Sequence, residues 1–99
     1  MLTRIVQMTF KTENIPSFER IFRDSSATIR ASKGCRHLEL YRDMHHPNTF
    51  FTYSLWDTEQ DLENYRNSEF FREVWGRTRQ LFSEKPRAWS LGKYNEFQS

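Results

Sequence analysis

The chain has 99 residues, a formal net charge of +2 and 28% charged residues, which is the length of one domain with no room for a second. Leu, Ile, Val and Phe supply 22 of the 99, enough with so small a net charge to stand on the folded side of the disorder signature. Apolar residues never run beyond two in succession, as at Ile5-Val6 or Phe70-Phe71. That excludes a membrane-spanning helix of about 20 apolar residues and the apolar run of about seven that a signal peptide needs.

Cys35 is the single cysteine, so neither an intramolecular disulfide nor a multi-cysteine zinc site is expected, and a reducing, cytoplasmic setting is. The 15 basic and 13 acidic side chains are interspersed, unlike the concentrated positive face of a phosphate-backbone binder. Nine Phe, four Tyr and three Trp are many rings for a fold that buries about two thirds of its unfolded surface. Some of them should meet a ligand or a second subunit.

Residues 3–11 (TRIVQMTFK) read as a strand, with Arg4, Val6, Met8 and Phe10 on one face and Thr3, Ile5, Gln7 and Thr9 on the other. Asn14 is the expected N-cap of a helix reaching about residue 32, and Pro16 suits its first turn. Ile15, Phe18, Ile21, Phe22, Ser25 and Ile29 space out one buried stripe, and Gly34 stops the helix. Residues 35–43 (CRHLELYRD) alternate as a strand, with Leu38 and Leu40 opposite His37, Glu39 and Tyr41. Residues 44–48 (MHHPN) turn the chain into 49–56 (TFFTYSLW), the strongest strand signal present. Thr58 and Asp61 have capping-box spacing for a helix to about Arg66. Asn67-Ser68 allows a break before a second helical stretch over 68–82, whose stripe is Phe71, Val74, Trp75, Thr78 and Leu81 or Phe82. Pro86 closes it, and residues 87–94 form the last strand.

The order β-α-β-β-α-β predicts an α+β, ferredoxin-like fold, in which a four-stranded antiparallel sheet carries helices on one face. The other face is left open with apolar residues on at least two strands, and a large open apolar face needs a partner.

The segments RIVQMTFK, CRHLELYRD, FFTYSLWDTEQDLENYRNSEFF and KPRAWSL resemble the antibiotic biosynthesis monooxygenase (ABM) domain family. The shared pattern is a strand, then Trp56-Asp57, a helix containing Asn64-Tyr65, and Ser68-Glu69-Phe70-Phe71, and it covers nearly the whole chain. The resemblance implies one domain over residues 1–99 that forms a homodimeric α+β barrel through the open sheet faces, each subunit keeping a pocket between its own sheet and helices. It also implies cofactor-independent monooxygenation of an aromatic or quinol-like compound, with no metal and no flavin. A non-catalytic dimeric small-ligand-binding domain on the same scaffold is the alternative, because fold alone does not establish chemistry. In the haem-degrading branch an Asn, a Trp and an iron-ligating His stand where this sequence looks to have Gln7, Tyr65 and Trp75. All three differ, so haem degradation is not expected. The RNA-recognition motif shares the element order, and Phe51 and Tyr53 alternate as stacking rings do. The Gly-containing basic-aromatic pattern is missing from TFFTYSLW, so no nucleic-acid partner is expected either, nor a membrane.

Two residues are candidate catalytic groups. His37 shares a strand face with Glu39, and a carboxylate-oriented imidazole suits deprotonation of a phenolic substrate; a structural hydrogen bond on a half-exposed face or dimer seam is the plainer reading. Tyr65, at a position the resemblance places in the pocket, has a hydroxyl that seeks a partner when buried. With it Gln7, Trp56, Phe71 and Trp75 are the expected substrate pocket, Gln7 as a donor to a substrate carbonyl and the rings as stacking walls. Helix-to-sheet core is the plainer reading for Phe71. His45-His46 lies in a turn with only Asp43 nearby and reads as exposed rather than as a metal site.

Overall fold

A computed structural model of the chain describes residues 1–94, so the last five residues of the domain expected over 1–99 lie outside the described residues. The elements are β1 (Leu2–Thr9), α1 (Ile15–Arg30), β2 (Cys35–Arg42), β3 (Thr49–Trp56), α2 (Glu59–Arg66), α3 (Glu69–Arg79) and β4 (Arg87–Gly92), with a 3-10 turn over Thr12–Asn14. The strands form one antiparallel sheet in the order β2-β3-β1-β4. This is the ferredoxin-like arrangement that the element order predicts.

Strand alternation sorts the sheet into two faces. Arg4, Val6 and Met8 of β1 pair with Ser54, Thr52 and Phe50 of β3, and these even-numbered residues face the helices. Ile5 and Gln7 pair with Tyr53 and Phe51 on the opposite face, where Trp89 of β4 also lies. Large side chains close the two ends of the helix-facing side. At one end Met8, Phe10, Ile15, Phe18 and Phe50 form a buried cluster in which Phe10 stacks on Phe18 at 4.2 Å. At the other, Cys35, Trp56 and Leu62 pack with Leu2 and Tyr65. Trp56 is only 1% exposed, and its indole Nε1–H donates to Ser54 Oγ at 3.0 Å, so the one polar atom of that ring is satisfied inside the core.

Several boundaries differ from sequence expectation for local reasons. Asn14 precedes α1, but its side chain caps nothing; the 3-10 turn before it already follows a helical path, and Asn14 Nδ2 donates instead to the Leu81 carbonyl at 3.2 Å. The last helix stops at Arg79 rather than 82 because the next residues pair with the end of β1: Lys11 N–H donates to Leu81 O, and Ser83 N–H to Thr9 O at 2.9 Å. Strand β4 ends at Gly92, two residues before the expected limit.

Strand β2 carries one irregularity. Its register against β3 shifts between Cys35 and His37, leaving Arg36 as the extra residue of a β-bulge. Arg36 turns outward and clamps Asp57 with Nε–Oδ1 2.8 Å and Nη2–Oδ2 2.6 Å, which holds the Asp57 carboxyl below its usual range.

Gly34, just before β2, adopts φ +84°, and a Cβ there would collide with the Asp61 side chain of α2. Its carbonyl accepts from Asp57 N–H at 2.8 Å, tying the α1–β2 corner to the start of α2. Gly34→Ala should lower the unfolding midpoint by about 5–10 °C, equivalent to about 1–2 kcal/mol of left-handed backbone strain plus the collision. The double variant with Asp61→Ala should recover only a fraction of the loss, because the Cβ at position 61 still stands in the way and the backbone strain remains, which thermal melts followed by circular dichroism will read.

Candidate functional site

Between the two packed ends, the helix-facing side of the sheet carries mostly smaller side chains, Thr52 and Ser54 of β3, Val6 of β1 and Ala88 of β4, with Leu38 of β2 and Arg4 of β1 beside them. The helices cannot close onto such a floor while bulky rings hold them off at either end. A cavity of about 390 Å³ results, within the size range of small-molecule sites. Phe18, Ile21 and Phe22 of α1 form one wall.

The facing wall is a run of rings. Tyr65 lies 5.1 Å from Trp56 and meets Phe71 edge-on at 5.1 Å; Phe71 and Trp75 are nearly parallel, 9° apart at 5.9 Å; Trp75 then meets Phe82 edge-on at 5.6 Å. One residue sets this arrangement. Ser68 donates its hydroxyl to Tyr65 O at 2.6 Å, ending α2, and accepts from Phe71 N–H at 3.1 Å, starting α3. The cap therefore fixes the angle at which the Tyr65 and Phe71 rings meet.

Polar groups in the cavity are few. Among the described residues no Asp, Glu or His lines it. Burial pushes the Tyr65 phenol well above its ordinary range, and nearby Cys35 adds to the shift, so the hydroxyl stays protonated and is a donor. Arg4 and Arg66 both reach the cavity, Arg4 donating to Ser90 Oγ at 2.8 Å and Arg66 to Glu63 Oε1 at 3.0 Å.

The structure brings Trp56, Tyr65, Phe71 and Trp75 together on the cavity. It separates two other expected residues from them. Gln7 is a correction: it pairs with Phe51 and Arg87 on the opposite face of the sheet, since period-two alternation cannot put Gln7 beside Val6 and Met8. His37 also lies on that far face, where its Nε2 meets Glu39 Oε1 at 2.8 Å and its ring meets Tyr53 edge-on at 6.1 Å. With the sheet between them, His37 cannot serve as base to a ligand in this cavity. His46 and His45 are held in their turn by Asp43, whose Oδ1 accepts from both backbone N–H groups at 2.9 and 2.8 Å. Sequence reasoning missed Arg4. A charged residue on the same strand face as Val6 and Met8 was the available signal.

Ser68→Ala removes both cap bonds and should cost about 1–2 kcal/mol. Ser68→Asp keeps the acceptor for Phe71 N–H and should recover most of it in urea unfolding, with the fluorescence of Trp75 and Trp56 shifting to the red in the Ala variant alone.

The model of the antibiotic biosynthesis monooxygenase family matches residues 1–75. No curated protein matches the chain. Among solved structures, an antibiotic biosynthesis monooxygenase superposes with a TM-score of 0.89 at 19% identity, covering 96% of this chain and 100% of its own. A conserved protein from Methanosarcina mazei Go1 gives 0.88 at 17% identity over 94% and 93% of the two chains. A Pseudomonas aeruginosa protein gives 0.82 at 26% identity over 95% and 94%. The ring pattern, the fold and the family match agree: the chain belongs to the antibiotic biosynthesis monooxygenase family.

Proposed function

We propose that the chain is a cofactor-independent monooxygenase acting on a flat aromatic or quinol-like compound. The observation that carries this reading is the ring-walled cavity of about 390 Å³ in a member of this family. In such a reaction the substrate loses a proton, the electron-rich carbanion adds to O2, and the peroxide collapses. A ring CH2 and O2 thus become a C=O and water. The cavity supplies what that sequence requires of a protein: walls that stack on a planar ring, exclusion of water around the anion, and one protonated donor, Tyr65, for the substrate oxygen. No carboxylate or imidazole lines the cavity among the described residues, so in this reading the proton is lost through the substrate's own ionisation. The same feature favours the second reading, a small-ligand-binding domain without turnover.

The far face of the sheet supports the assembly in this reading. Ile5, Phe51, Tyr53, Leu55, Trp89 and Leu91 share it, with Leu91 48% exposed. An apolar face of this kind is covered by a second copy in the proposed homodimer. His37 and Glu39 then lie at the seam as a structural pair.

Oxygen uptake with a panel of anthrones and quinols, without added cofactor, tests the reaction. The expected result is uptake that rises with pH through the substrate's own pKa. Thr52→Phe, which fills the cavity floor, should lower it by at least about tenfold with the fold intact, and Tyr65→Phe should lower it several-fold. Uptake indifferent to Thr52→Phe would sink the site. Ligand binding without uptake would favour the second reading. Light scattering at micromolar protein should give twice the chain mass, and a clean monomer counts against the barrel.

A further inference from the structure

Arg4 occupies an unusual place. It stands on β1 two residues from Val6 and four from Met8, on the face that the helices cover. Charged side chains on such a face are normally paired. Its hydrogen-bond partner among the described residues is the neutral Ser90 hydroxyl at 2.8 Å. Arg66, at the end of α2, brings a second guanidinium to the same cavity. The carboxylate that acts on this pair is Glu63, and it is taken up by Arg66 at 3.0 Å. Arg87 also borders the cavity, but its guanidinium lies 4.9 Å over the ring of Trp89 on the far face, so two positive charges and one negative charge leave an excess of one positive charge at this end. The two guanidiniums also feel each other: after burial, the proximity of Arg66 is the next cause pulling the Arg4 pKa down, and Glu63 offsets it only in part. A guanidinium cannot relieve such a conflict by losing its proton near neutral pH.

We propose that Arg4 and Arg66 form an anion-binding end of the ring-walled cavity, so that its ligand is a flat aromatic compound bearing a negatively charged oxygen group, a carboxylate or an ionised phenol. This rests on the reading of the cavity as a small-molecule site and adds the charge of its occupant. The planar fork of Arg4 matches two oxygens of a carboxylate or the single oxygen of a phenolate, while the ring behind it runs along Tyr65. The partly covered position strengthens the pairing compared with a surface arginine, because fewer waters compete for the charge.

Isothermal titration with 2-naphthoate and with its neutral isostere 2-naphthamide tests this. The unmodified protein should bind 2-naphthoate about tenfold more tightly, and rising salt should narrow the gap. Arg4→Gln should abolish the preference while lowering 2-naphthamide affinity far less, and an unchanged thermal melt shows that the variant is folded. Arg4→Lys should keep part of the preference, and Arg66→Gln should reduce it by several-fold. If 2-naphthamide binds as well as 2-naphthoate, or the preference survives both glutamine variants, the charge assignment falls while the cavity reading stands. If neither probe binds, the cavity reading itself falls and this inference with it.

Discussion

The structure depends on an uneven distribution of bulk along one face of the sheet. At both ends of β1 and β3 large side chains pack tightly, with Phe10 wholly buried at one end and Trp56 almost so at the other. Between them the floor has no large ring: Thr52, Ser54, Val6 and Ala88 are small, and Leu38 and Arg4 complete it. Close packing is the rule in protein interiors, and a gap forfeits dispersion contacts on every surface that lines it. The two end clusters supply the apolar burial that holds the helices in place despite that loss. The site is therefore a consequence of where the core is not.

The rings serve both purposes. Phe18 belongs to the packed cluster and also lines the cavity, and Trp56 closes the other end while bordering the hollow. Tyr65 and Phe71 are held edge-on by a serine that ends one helix and begins the next. Stability and recognition thus draw on the same side chains, and a change that loosens the wall loosens part of the core.

Much of the fold was legible in local chemistry. The Phe- and Thr-rich run of β3, the hydroxyl of Thr58 accepting from Asp61 N–H, and the left-handed Gly34 each specify their element within a few residues. The ends of helices were less legible, because the early stop of α3 comes from pairing with β1 about seventy positions away, beyond any local signal. For the site, the four expected rings line the cavity, whereas Gln7 does not, since its own strand alternation already put it opposite Val6 and Met8. The cavity itself was not legible, since a void is defined by the distance between elements rather than by any residue. Arg4 was overlooked for a related reason: a single charge in a strand is unremarkable until the face it occupies is known.

The bulge at Arg36 has a wider meaning. With strict alternation, Cys35 and His37 would share a face, and β2 would have to choose between burying its first residue and presenting its later polar ones outward. One surplus residue resets the parity. Cys35 enters the core beside Trp56, and His37, Glu39 and Tyr41 emerge on the far side, so a single strand satisfies two incompatible surfaces. An insertion of one residue is usually counted as a defect in a ladder; in this chain it is the switch that lets the inside and the outside of the sheet be written independently.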